Sequence, residues 1–137
     1  MRKPGWLIAA AVVVFGLTAI ANEKPTEAYA NAMKNLQSAQ MAMRAAVTAK
    51  DYDAIAKAAA TFKTSFEVTE QFWTAKKVDD AVAAAKAGAK GATDLAAAAT
   101  AKNDEGVAAA QRAVAATCMG CHMAHRERLA DGSFEIK

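Results

Sequence analysis

Near the end of a 137-residue chain stands the run Cys118-Met119-Gly120-Cys121-His122. On a helix, positions i, i+3 and i+4 share one face, so this spacing aims two thiols and one imidazole at the same object. The chemistry that uses such a set is covalent attachment of haem c. Each thiol adds across a vinyl group of the porphyrin, and His122 supplies a nitrogen to the iron from the same side. These are the chain's only cysteines, and the three-residue spacing closes too short a loop for a stabilising disulfide. A thioredoxin-like redox pair needs a strand before its helix in a βαβ setting, and no strand is expected here. Zinc needs four ligands, and the only other candidates nearby are His125 and carboxylates. His125 is expected on the surface of the last helix.

The elements that must position this motif follow a leader-like start. Arg2 and Lys3 precede the apolar run Trp6 to Ile20, and Ala19-Ile20-Ala21 offers a small-x-small cleavage pattern before the polar Asn22-Glu23-Lys24-Pro25. Residues 1–21 therefore read as a signal peptide for export to the periplasm, and residues 22–137 as one domain. An uncleaved N-terminal membrane anchor is the alternative, and membrane contact is expected only in that case. Of the formal charge of +3, the leader carries two basic residues, leaving 15 basic and 14 acidic. A near-neutral chain gives a nucleic-acid role no support.

In residues 22–137, 34 side chains are Ala and only 23 are Leu, Ile, Val, Met, Phe, Trp or Tyr. That is a thin core for a domain of this size, and a bound apolar cofactor would fill what the side chains do not. The composition favours helix throughout. Thr48-Ala49-Lys50, Thr74-Ala75-Lys76 and Thr100-Ala101-Lys102 recur every 26 residues and mark three breaks. Four helices are expected, over 26–49, 53–75, 79–99 and 104–129, with Thr26, Asp53, Asp79 and Asn103 or Asp104 as N-caps. Short connections make this an all-α, up-down-up-down four-helix bundle. A repeat solenoid would need more than two hairpin units.

Tyr29, Met33, Leu36, Gln40, Met43 and Val47 form one inward stripe, and Ile55, Phe62, Phe66 and Trp73 another. Most of these are core packing. On the third helix Ala84, Gly88, Gly91 and Leu95 share a face, to which either a bulky group or a crowded neighbouring helix comes close. Met33 has a further use. The first and last helices run antiparallel, and His122 lies seven residues before the expected end at Leu129. Seven residues into the first helix, roughly 10 Å of rise, reaches the level of Met33. Met33 is thus the expected sixth iron ligand. Met43 lies about 15 Å further along, and Met41 points about 120° away from the stripe.

With its C-x-x-C-H near the end of a fourth helix, the chain resembles the class II c-type cytochromes, which include cytochrome c′ and its six-coordinate, low-spin relatives. Arg126, four residues after His122, matches an arginine that the family commonly holds near its haem. The resemblance also implies a methionine ligand early in the first helix followed by a basic residue, as Lys34 follows Met33. It further implies a homodimer through the first two helices. The chain departs from the pattern at His125, where the family usually has an aromatic residue, and in the extra tail Asp131 to Lys137.

The expected function is a one-electron carrier with a single covalent haem c, working between redox partner proteins. A five-coordinate protein binding NO or CO, with an apolar residue in place of the sixth ligand, is the alternative. No distal acid–base pair is visible to support an enzyme.

Overall fold

Local signals start and stop each helix in the computed structural model, which describes residues 22–137. The expected signal peptide lies outside the described residues. Helix α1 spans Glu27–Ala49, α2 Tyr52–Lys76, α3 Asp79–Thr100 and α4 Asp104–His125. The hydroxyl of Thr26 accepts from the Tyr29 N–H at 3.3 Å, and the Asn103 side chain accepts from the Gly106 N–H at 3.0 Å. These are the expected caps. At α2 the cap is Asp51, accepting from the Ala54 N–H at 2.9 Å, rather than Asp53. At α3 it is Val78, with no side-chain bond, because Asp79 and Asp80 already belong to the first turn. A lysine at each break adopts a left-handed backbone: Lys50, Lys77 and Lys102 have φ of 53°, 58° and 52°. The chain makes its three reversals without glycine.

Leu36, Met43, Ile55, Phe62, Phe66, Leu95, Val107 and Val114 fill one core cluster with alanines between them. Small residues let the helices come close. A Cβ on Gly88 would meet the Phe66 ring deep inside van der Waals contact, and one on Gly91 would lie 2.9 Å from a Val114 methyl. The two glycines of α3 are therefore explained by crowding against α2 and α4.

Chain neighbours α1–α2, α2–α3 and α3–α4 pack side by side, giving an all-α bundle of four helices. The pair α1–α4, which would close the ring, makes almost no direct contact.

The expected all-helix chain is corrected at its end. Helix α4 stops at His125, a turn before Leu129, and Arg126–Arg128 (β1) pairs antiparallel with Phe134–Ile136 (β2). The reversal is made by Gly132, at φ 84°, and by Asp131, whose carboxylate accepts from the Ser133 N–H at 2.9 Å and its hydroxyl at 2.6 Å. Burial drives the fold-back: Ile136 packs with Tyr29, Trp73 and Ala81. Glu23 then pairs with Ile136 through two backbone hydrogen bonds of 3.0 and 2.8 Å. The tail Asp131 to Lys137 is thus a wall over one end of the bundle. No helix among the described residues is long and apolar enough to cross a membrane.

Candidate haem site

The gap between α1 and α4 is a cavity of about 640 Å³. Such a volume lies inside the range of about 300–1,000 Å³ typical of ligand and cofactor sites. Cys118, Cys121 and His122 open into it from α4, Met33 from α1, and Arg126 from the start of the hairpin. All five residues picked out in the sequence therefore line one space. Its inner wall is apolar, with Leu36, Met43, Phe62, Phe66 and Val114. Tyr29, Lys34, Gln37, Gln40 and Gln111 add polar atoms, and Phe134, Glu135 and Ile136 close one side.

Because α4 ends a turn early, its C-terminus cannot set the height of Met33. The opposite end of the helices can. Lys50 Nζ lies 2.7 Å from Asp104 Oδ2, tying the end of α1 to the start of α4. Met33 is 17 residues before Lys50, and Cys121 is 17 residues after Asp104. At 1.5 Å per residue on both helices, these equal counts put Met33 near the level of Cys121 and His122, to within the roughly 6 Å reach of the lysine side chain. Met43 also lines the cavity, 10 residues further along α1. Met41 is 67% exposed and lies outside it.

Burial controls the chemistry of the motif. It raises the pKa of both unbonded thiols above the usual value, with Asp80 and Cys118 adding to the effect at Cys121. Exchange-active cysteines need the opposite shift. Burial, with a smaller contribution from the Arg126 charge, holds His122 below its usual pKa. The neutral ring keeps the lone pair that an iron ligand needs. Tyr29 is pushed up to about 12, first by burial and then by Cys121. Among the described residues, no group of three or more His, Cys, Asp or Glu is arranged to hold a metal ion. Two thiols, an imidazole kept neutral by burial and apolar walls fit the attachment of haem c, and the Met33 thioether lines the same space.

His125 is not the free surface residue expected. Its Nε2 lies 2.7 Å from Asp80 Oδ2, its side chain is 15% exposed, and its ring packs 5.0 Å from that of Trp73. Its ring braces the end of α4 against α2 and α3. The Arg126 guanidinium lies 4.2 Å from the Phe134 ring centre. Tyr29 and the Phe134–Ile136 wall escaped the sequence reading as site residues. The spacing of Tyr29 marks only core packing, and the only signal for the hairpin is the turn pair Asp131-Gly132.

No protein-family profile matches the chain, and neither a curated protein nor a solved structure matches it.

Proposed function

We propose that this chain is an exported mono-haem c-type cytochrome of the class II kind, working as a one-electron carrier between redox proteins. The observation that carries the reading is the slot between α1 and α4, into which the whole Cys118-Cys121-His122 set opens. Haem, once bound, supplies an iron that gains and loses one electron. The residues of the chain do the rest. Cys118 and Cys121 fix the porphyrin through thioethers, and His122 gives its neutral nitrogen to the metal. Met33 approaches from α1 as the second ligand, and a methionine raises the reduction potential. Phe62, Phe66 and Leu36 keep water from one face of the slot. Arg126 and Lys34 place positive charge at its edge, where the cofactor's carboxylates can meet it.

Optical spectra of the oxidised and reduced protein test the proposal. A low-spin haem c spectrum that cycles reversibly supports the carrier. A high-spin spectrum that responds at once to carbon monoxide moves the function to the gas-binding alternative, and absence of any haem spectrum from a host that matures cytochromes c refutes both.

A further inference from the structure

We infer that Tyr29, backed by the indole of Trp73, donates its hydroxyl hydrogen bond to a carboxylate of the bound haem and so decides which end of the slot that carboxylate faces, an inference that rests on the haem reading above. Tyr29 is 6% exposed and lines the cavity. Its hydroxyl has no hydrogen-bond partner among the described residues; it is the backbone N–H of the residue that bonds Thr26. Trp73 Nε1 is the one buried side-chain nitrogen or oxygen among the described residues left without a partner. The two rings meet edge to face with centres 5.9 Å apart, and the indole N–H lies close enough to the phenol oxygen to lower its pKa. A buried donor without an acceptor is costly, so two donors, one behind the other, call for a group from outside the chain. One acceptor satisfies both: the indole N–H gives to the phenol oxygen, and the phenol O–H gives onward into the slot.

The charges around Tyr29 select an anion as that acceptor. Arg126 lines the same space, and its charge acts on the Tyr29 hydroxyl. Lys34 lines the cavity from α1, and Glu135 is the only carboxylate in its wall. None of these three enters an ion pair among the described residues. Burial keeps the phenol protonated, so it stays a donor throughout the working pH range. Tyr29 stands one turn before Met33 on the same face of α1, about 6 Å nearer the hairpin. Past Met33 in the other direction the cavity is lined by Gln40 and Gln111, which carry no charge. A hydrogen bond to an ionised acceptor is stronger than one between neutral groups, so the hairpin end, with Arg126 and Tyr29 together, is where a carboxylate of the haem is best held.

The experiment uses the full haem-loaded protein and reads the haem itself, through the propionate bending bands in resonance Raman and through the reduction potential. Tyr29→Phe keeps the ring and removes the hydroxyl. It should shift a propionate band and lower the potential, because a carboxylate stripped of a donor sets more negative charge near the iron and favours the oxidised form. Trp73→Phe should move both readouts the same way by a smaller amount. Since Trp73 acts through Tyr29, the double variant should match Tyr29→Phe rather than the sum of the two. Tyr52→Phe, whose hydroxyl bonds Asp104 at the far end of the bundle, should move neither readout. A role in packing alone would lower the melting temperature of Tyr29→Phe with the band and the potential unmoved, and that result overturns the inference, as does an equal shift from Tyr52→Phe. Additive shifts would overturn the backing role of Trp73, and if Trp73→Phe fails to fold, Tyr29→Phe decides alone. A chain that carries no haem overturns the underlying reading, and this inference with it.

Discussion

Lys50 Nζ lies 2.7 Å from Asp104 Oδ2, and this contact joins the two helices that otherwise stand apart around the cavity. The Tyr52 hydroxyl donates to the other oxygen of Asp104 at 2.6 Å. Together, Lys50 first and then Tyr52, they hold the Asp104 carboxyl below its usual pKa. A carboxyl whose folded pKa is depressed contributes stability that is fully present above its unfolded value and lost as pH falls through the folded one. The difference in melting temperature between wild type and Asp104→Asn should therefore be constant between about pH 5 and pH 9 and shrink below about pH 4. A difference independent of pH down to the acid transition would show that the tie contributes nothing through charge.

Met33 lines, from α1, the cavity into which the motif also opens. Met33→Ala should convert a low-spin spectrum to high-spin and let carbon monoxide bind without delay. Met43→Leu, which keeps volume in the buried core, should leave the spectrum low-spin. If Met33→Ala remains low-spin, the second ligand comes from another residue.

Gly88 meets the Phe66 ring where a Cβ would sit. Alanine in a helix interior gains about 1 kcal/mol over glycine on propensity alone, whereas overpacking a core contact costs about 1–3 kcal/mol. The packing term is the larger, so Gly88→Ala should lower the denaturant midpoint. A raised midpoint would mean that α2 and α3 shift apart freely, against the close packing described here.

Ile136 anchors the C-terminal hairpin on Tyr29, Trp73 and Ala81. Ile136→Ala removes that anchor and should cost about 2 kcal/mol, the low end for buried aliphatic truncation, since Ile136 keeps 8% of its surface exposed. The near-ultraviolet circular dichroism of the Tyr29, Phe72 and Trp73 cluster, whose rings lie 4.3 to 5.9 Å apart, should weaken at the same time. An unchanged melting curve and spectrum would show that the hairpin is not held by burial.

The helices were legible because their signals are local. Alanine-rich stretches, the three Thr-Ala-Lys breaks and the Thr26 and Asn103 caps all act within a few residues of where they are written. The caps at Asp51 and Val78 differ by one or two positions because Asp53, Asp79 and Asp80 suit a first turn as well as a cap. The end of α4 was not legible. What stops it is the burial of Ile136 and its pairing with Glu23, contacts more than 100 residues apart in the chain for the latter. The packing of His125 is non-local in the same way, since Asp80 and Trp73 reach it from other helices. The motif itself could be read outright, but the slot that receives it depends on how far α1 and α4 stand apart, and no short stretch of sequence encodes that distance.

The mass of the denatured polypeptide, produced in a host that matures cytochromes c, tests the central claim most directly. Thioethers at Cys118 and Cys121 survive unfolding and acid extraction, so the chain should carry the mass of one haem and show no titratable thiol. Cys118→Ala/Cys121→Ala should lose that mass and, with so few large apolar side chains to fill the slot, should keep its helices without fixed side-chain packing. Recovery of the wild-type chain at its bare polypeptide mass, with two free thiols, would contradict the account.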